Sequence, residues 1–400
     1  VQLANQTAAG EPFSTLSPFA YRIGLPWLVG TFFADDPLTG FRLINLVFGC
    51  LTLLLLHRFL RHYLTSNTVI LLLILLYVVN PNSPFRLVHF YPATTDPPAL
   101  FLMLLILHLG NKFKAIKLRQ SLLLMGLGIV GVIFRELVLS AVMVVAFCHS
   151  FELRSGWPLV RVRSVRQVSL ALLPLLATVI TLVTLNRQIE GLGGYGYWTQ
   201  VQETLLHLFD NASIYPLAWL MAFGVPLIMI LLMVNRQLLR YLIQHQELLV
   251  FLAGMMLLGM IGGYHTDRFA FWSYPAIFVL FGRFLETHPI CRRVTLPGLL
   301  LLVPAVLIQL LVHRVLLPLP DDTNGALLDP GSSEFLLFAP FGNSTNIAHI
   351  FAGYMEPAAR MTLLLQFLGI IFYFGLVLFV ATHKTGHEQS ATPGQKLKLD

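Results

Sequence analysis

Charge is scarce in this chain. Only 11% of its 400 residues are Asp, Glu, Lys or Arg, 56% are hydrophobic, and the mean hydropathy is +0.75. A soluble domain is about one quarter charged. A water-soluble fold of this length could not cover so much apolar surface, whereas a bilayer faces it directly. Cysteine is scarce too. Cys50, Cys148 and Cys291 lie scattered in or beside apolar runs, which excludes a disulfide framework and a cysteine metal motif. There is no Walker sequence, no Gly-rich dinucleotide loop, no H-E-x-x-H pair and no serine-nucleophile motif. ATP-driven transport by this chain alone, zinc hydrolysis and serine hydrolysis are therefore disfavoured. Residues 1–20 lack the basic start and apolar core of a signal peptide. The first residue is Val1, and the expectation is that one further span lies upstream.

What the sequence has in abundance is apolar runs. They occupy 41–60, 66–80, 97–110, 120–134, 136–150, 168–186, 215–234, 247–263, 269–286, 295–315 and 361–382. Read one run to one span, they predict an all-α, polytopic integral membrane protein with about eleven transmembrane helices. The expected organisation is an external first-loop segment (1–40), a core bundle (41–315), a long external loop (316–360), a last transmembrane helix (361–383) and a disordered cytoplasmic tail (384–400). Within 194–213, a Gly-aromatic turn leads into what reads as a short amphipathic surface helix.

The basic residues orient the chain. Eighteen of the 26 fall in alternate loops, among them Lys112, Lys114, Lys117, Arg119, Arg161, Arg163 and Arg166. The other eight are all arginines: Arg22, Arg42, Arg86, Arg135, Arg187, Arg268, Arg314 and Arg360. The positive-inside rule puts the first set in the cytoplasm. The expected location is a cell membrane, taken as a bacterial inner membrane, with the C-terminus cytoplasmic. An upstream span would bring the total to about twelve, with both ends cytoplasmic. The net charge of +7 is a loop property of this kind and does not point to nucleic acid.

Polar residues at the external ends of spans cost energy unless they face a cavity. Tyr21-Arg22, in an aromatic and proline-rich stretch, suits an anionic head group as well as an interfacial anchor. Asp35 and Asp36 suit a cap or turn. His89 and Tyr91 precede Asp96-Pro97, where Asp96 could cap a helix through its free N–H groups. Arg135-Glu136 joins two apolar runs, as a self-paired linker or as two cavity-facing groups. His265, Asp267 and Arg268 form the densest polar cluster near the membrane, in a short loop that a hairpin alone would not require. Asn5, Asn211 and Asn343 stand in N-x-Ser/Thr triplets. No residue set has metal-ligand spacing.

These places together resemble the GT-C superfamily of polytopic glycosyltransferases, of the bacterial surface-glycopolymer type. The likeness rests on Gly10-Glu11-Pro12-Phe13, Pro18-Phe19-Ala20-Tyr21-Arg22 and Pro26, then Asp96-Pro97, Arg135-Glu136 and Asp267-Arg268, and extends over roughly 1–290. It implies transfer of a sugar from a polyprenyl-phosphate donor to a glycan or lipid acceptor outside the cytoplasm. Asp96, Glu136, Asp267, His265 and His89 would be the catalytic candidates, with Asp96 and Glu136 competing for the base or metal-ligand role. Arg22, Tyr21, Arg135 and Arg268 would bind the phosphate. A Mg or Mn ion would serve a diphosphate leaving group. Membrane lipids and subunits of a membrane complex are the further partners. The chain departs from the superfamily at its first external loop. The carboxylate usual there is expected upstream of Val1, with Glu11 its nearest stand-in.

Other classes stay open. A glycan polymerase or ligase would use the 316–360 loop with Asp321, Asp322, Asp329, Glu334 and His349. An accessory subunit of a membrane complex would need no base at all. A transporter is least suited, because the acidic residues keep to loops and span ends.

Overall fold

The computed structural model describes residues 1–11, 15–16, 21–153, 160–189, 191–192, 197–262, 265–288, 291, 296–313, 315 and 357–390. In chain order its helices are α1 (Gln2–Ala9), α2 (Gly24–Phe32), α3 (Pro37–Leu60), α4 (Asn67–Val79), α5 (Pro84–Phe90), α6 (Asp96–Lys112), α7 (Leu118–Phe134), α8 (Val138–Ser150) and α9 (Val165–Gln188). They continue as α10 (Tyr197–Asp210), α11 (Ile214–Phe223), α12 (Val225–Leu232), α13 (Arg236–Gln244), α14 (Gln246–Ile261), α15 (Thr266–Phe271), α16 (Tyr274–Thr287), α17 (Leu296–Val312) and α18 (Pro357–Ser390). Strand structure is slight. β1 (Thr15–Leu16) pairs in parallel with β4 (Gly191–Leu192), and β2 (Phe151–Leu153) is antiparallel to β3 (Val160–Val162), with Glu152 opposite Arg161.

Local chemistry sets the helix starts. Asp36 accepts from the Thr39 N–H at 3.2 Å, with Pro37 following at the first helical position of α3. Ser66 and Ser164 cap α4 and α9 in the same way, and Asn235 caps α13 through two N–H groups. Each side-chain oxygen satisfies donors that the first turn leaves orphaned.

Among the described residues, four segments are long and apolar enough to cross a membrane: α3, Asn67–His89, α9 and Arg360–Val380. The number rises to six if two bent pairs each count as one span, which is fewer than the eleven expected. The reason is geometric. A span needs about 20 residues of helix, but α8 has 13 and α7 has 17. One other run, 215–234, is broken where α11 meets α12 at 109°, and α13, ahead of the 247–263 run, meets α14 at 101°. The first break falls at Gly224, whose φ of 56° suits glycine alone. There the Val225 N–H, orphaned by the break, donates to Gln309 Oε1 of α17 at 2.7 Å. Apolar composition marks each run as helical but carries no information about a bend.

Two kinds of helix surface result. α6 and α16 are buried along most of their length. α9 instead exposes Leu172, Leu176, Val179, Ile180 and Val183 along one face, and α18 exposes Leu365, Leu368, Phe372, Leu376 and Phe379. Apolar stripes of that length are what lipid would cover. The two ends of α6 mark two polar ends of the bundle. At one, Asp96, Arg135 and Arg268 converge. At the other, Tyr63 meets Asn111 and Glu247, and Glu286 accepts from the Thr65 and Ser66 N–H groups. α10 is amphipathic, as expected of the 194–213 segment. The loop residues 316–356 and tail residues 391–400 lie outside the described residues, as do Pro12, Phe13, Pro18, Phe19 and Ala20 of the first-loop motif.

Candidate functional site

The centre of the Asp96 end is a shared carboxylate. Asp96 sits in the first turn of α6, where its side chain makes no cap; Thr95 is the N-cap residue and has no side-chain cap either. The local capping role is therefore not the one it takes. Its Oδ1 pairs with Arg135, from the turn between α7 and α8, and its Oδ2 with Arg268 Nε of α15. All three are almost fully enclosed, at 1%, 3% and 5% exposure. An unpaired charge at such a site would cost several kcal/mol. One carboxylate between two guanidiniums leaves a net positive charge, which nearby groups temper. Arg268 Nη2 donates to Thr94 Oγ1 at 2.7 Å, and its guanidinium lies 5.4 Å from the Tyr91 ring centre. Arg135 lies 4.5 Å over the Trp272 ring. Asp267 accepts from Asn82 Nδ2 at 3.2 Å.

A second ion pair stands at the rim. Arg22 Nε donates to Glu136 Oε2 at 3.0 Å, and its Nη2 donates to Oε1. This is the bidentate fork of a strong pair. It is also the more accessible one, with side-chain exposures of 11% and 29%. Arg22 reaches Glu136 because α2 lies against the end of α7. A Cβ on Gly24 would come within 3.1 Å of the Phe134 ring, so glycine permits the approach.

The structure thus brings Arg22, Asp96, Arg135, Glu136, Asp267 and Arg268 to one end from four separate segments. His265 lies just ahead of α15, where burial and the guanidiniums of Arg268, Arg135 and Arg22 hold its imidazole down at about 3. It is neutral at physiological pH. Tyr21 is half-buried beside Arg22. His89 is exposed in the last turn of α5 and takes no part in these ion pairs, so it departs from the expected group.

Sequence reasoning passed over Asn45, Asn82 and Thr94. Asn45 Nδ2 donates to the Pro92 and Thr94 carbonyls at 2.9 Å each, which fixes the segment leading into Asp96. The available signal was a lone amide inside the apolar α3 run.

A Mg or Mn ion does not fit this arrangement. Both Asp96 oxygens face arginines, both Glu136 oxygens face Arg22, and Asp267 accepts from Asn82. Among the described residues no group of three or more His, Cys, Asp or Glu side chains could hold a metal ion. The arrangement suits anion recognition: three arginines around an aromatic wall, with a carboxylate at the rim. Compared with family models, with curated proteins and with solved structures, the chain matches none.

Proposed function

We propose that this chain is a multi-span membrane glycosyltransferase that takes a sugar from a polyprenyl-phosphate donor at the Asp96 end and passes it to a glycan or lipid acceptor. The observation that carries the reading is the rim pair Arg22–Glu136 set above the Asp96–Arg135–Arg268 triad. The triad is the rigid floor. It holds two guanidiniums in place before any ligand arrives, and preorganised charge is what stabilises a leaving phosphate. The rim pair is the working part. A donor phosphate offers Arg22 the same fork geometry as Glu136 does. On binding, it displaces the carboxylate.

Glu136, released from its guanidinium, becomes an ordinary carboxylate and can accept a proton. The acceptor hydroxyl gives that proton to Glu136, and its oxygen forms the new bond to the anomeric carbon. The bond from that carbon to the phosphate oxygen breaks, and its electron pair leaves with the polyprenyl phosphate beside Arg22. Between the two carboxylates that the sequence left in competition, this assigns the base role to Glu136. Asp96 is the structural counter-ion. A GT-C-like architecture and an extracytoplasmic Asp96 end belong to the same proposal. Its support is the gathering of Lys112, Lys114, Arg163 and their neighbours at the opposite end.

The test uses purified protein in lipid nanodiscs with a panel of polyprenyl-phosphate sugars, read by release of lipid phosphate. Arg22→Gln is expected to weaken donor binding. Glu136→Gln should keep donor binding and lose turnover by about 10²–10⁴-fold. Absence of turnover with every donor, together with donor affinity unchanged in Arg22→Gln, would reject the reading.

One observation favours a second reading, a non-catalytic accessory subunit. Every acidic group of the cluster already has a partner within the chain, as a purely structural network would. Stoichiometric copurification with other membrane proteins, and no donor binding, would select it.

A further inference from the structure

The opposite end of the bundle holds a different kind of polar site. A cavity of about 220 Å³ opens there between the ends of α6 and α8, the start of α14 and the residue following β3. Asn111, Lys114, Cys148, His149, Arg163 and Glu247 are in its wall. Pockets for drug-sized ligands run to roughly 300–1,000 Å³, so the occupant is the size of a head group or a small metabolite.

The wall divides into spent and unspent groups. Asn111 donates to Tyr63 Oη at 2.6 Å, and Glu247 Oε1 takes the Tyr63 hydroxyl at 2.9 Å and faces His245 Nδ1 at 3.3 Å. Gln246, also in the wall, is spent on the Cys148 and Phe151 carbonyls and the Leu153 N–H. Arg163 is different: its Nε is buried with no hydrogen-bond partner. Lys114 supplies a second cation, so the two outweigh the one carboxylate. His149 Nε2 lies 3.0 Å from the Gly110 carbonyl, an acceptor only, so this nitrogen carries the proton. Its Nδ1 is then a buried acceptor, and it too has no partner.

The surroundings strengthen the cationic character. The α6–α7 turn, with Lys112, Lys114 and Lys117, is locked to the start of α9, with Arg163 and Arg166. Gln167 makes that link through two bonds to the Ile116 backbone, at 3.0 and 3.2 Å. The β2–β3 pair leads directly into it, and the Arg163 N–H donates to the Ser150 carbonyl at 2.8 Å.

We propose that this cavity binds a hydroxyl-bearing phosphate ester, such as a glycerophosphate group, whether as a lipid head group or as a free metabolite. Arg163 and Lys114 take the phosphate, and His149 Nδ1 accepts from the neighbouring hydroxyl. Basic pockets between helices near a membrane surface recognise lipid phosphates on these terms. The site is separate from the Asp96 end and does not rest on the sugar-transfer reading.

The test is titration of the purified full chain in neutral detergent, by calorimetry and thermal shift. The probes are short-chain phosphatidylglycerol, glycerol 3-phosphate, and phosphatidylcholine of equal chain length. Saturable binding of either glycerophosphate compound, with phosphatidylcholine much weaker, is the expected result. Tighter binding of phosphatidylglycerol assigns a lipid source, and tighter binding of glycerol 3-phosphate a soluble one. The double variant K114Q/R163Q should lower affinity by about thirtyfold, and K114Q alone, at an exposed residue, by about fivefold. The double variant K117Q/R119Q removes equal charge outside the cavity wall, where salt screens it, and should lower affinity by less than about twofold. Equal weakening by both double variants would show diffuse surface attraction and overturn the proposal, as would phosphatidylcholine binding as tightly as phosphatidylglycerol.

Discussion

The two polar ends of this bundle use charge in opposite ways. At the Asp96 end, three arginines meet three carboxylates, and the inner groups are shut away from solvent with their charges paired inside the chain. At the Glu247 end, the groups that make hydrogen bonds surround a cavity, and its wall sets Lys114 and Arg163 against the single carboxylate of Glu247. Buried, paired charge fixes the relative placement of helices, because breaking it exposes an uncompensated ion to a poor solvent. An excess of one charge around open space has the chemistry of recognition instead. A functional reading of the Asp96 end therefore rests on the accessible Arg22–Glu136 rim, and one of the Glu247 end on the cavity itself.

The sharpest way to break the contrast is to remove one carboxylate from each end. Asp96→Ala leaves Arg135 and Arg268 buried without their shared counter-ion, and should destabilise the protein by about 3–5 kcal/mol. Glu247→Ala leaves the Tyr63 hydroxyl still bonded to Asn111, and should cost about 1–2 kcal/mol. Unfolding of both variants in the same detergent compares them directly. Equal losses would mean that the two ends do not differ in kind.

A smaller effect tests the rigidity attributed to the Asp96 end. Near it, Gln309 caps the break at Gly224 and meets His313 Nε2 at 2.7 Å, while Asn80 donates to the Ala222 carbonyl at 2.6 Å. A Cβ at Gly224 would lie 2.6 Å from Gln309 Oε1, on a backbone with positive φ. Gly224→Ala should therefore cost about 1–3 kcal/mol, and should speed hydrogen exchange at the start of α12 more than at α14. Uniform loosening of both would place the break outside this network.

The smallest effect is a pH slope. His265 is held near 3 in the folded state, against an ordinary value of 6.5. Between those values the unfolded chain takes up a proton that the folded chain refuses. Stability linked to this residue is then fully present above pH 6.5 and is lost as pH falls toward 3. His265→Asn should flatten the acid side of the stability profile in that window, with little change at pH 8. An unchanged profile would mean that His265 is more open to water than its surroundings imply.

Much of the fold was legible. Each apolar run forms helix wholly or in large part, because burial against neighbours and exposure to lipid both select apolar side chains. The span count was not legible. The 215–234 run reads as one span until Gly224 turns it through 109°, and that turn depends on Gln309, far off in α17. The position of Arg22, Asp96, Glu136, Asp267 and Arg268 at span ends was legible. Their pairing was not. Local reasoning offered Asp96 a cap and Arg135–Glu136 each other, and tertiary structure re-paired all three.

Sequence by itself determined that this chain is helical and strongly apolar, and which residues would lie at the ends of its helices. Those properties belong to single residues and short periods, so they survive without knowledge of neighbours. Tertiary structure alone decided which charge meets which, which helix bends, and where space is left open. Those depend on partners distant in sequence, more than a hundred residues away between Arg22 and Glu136 or Arg268 and Asp96. The cost of burying a charge is set by the partner it finds there.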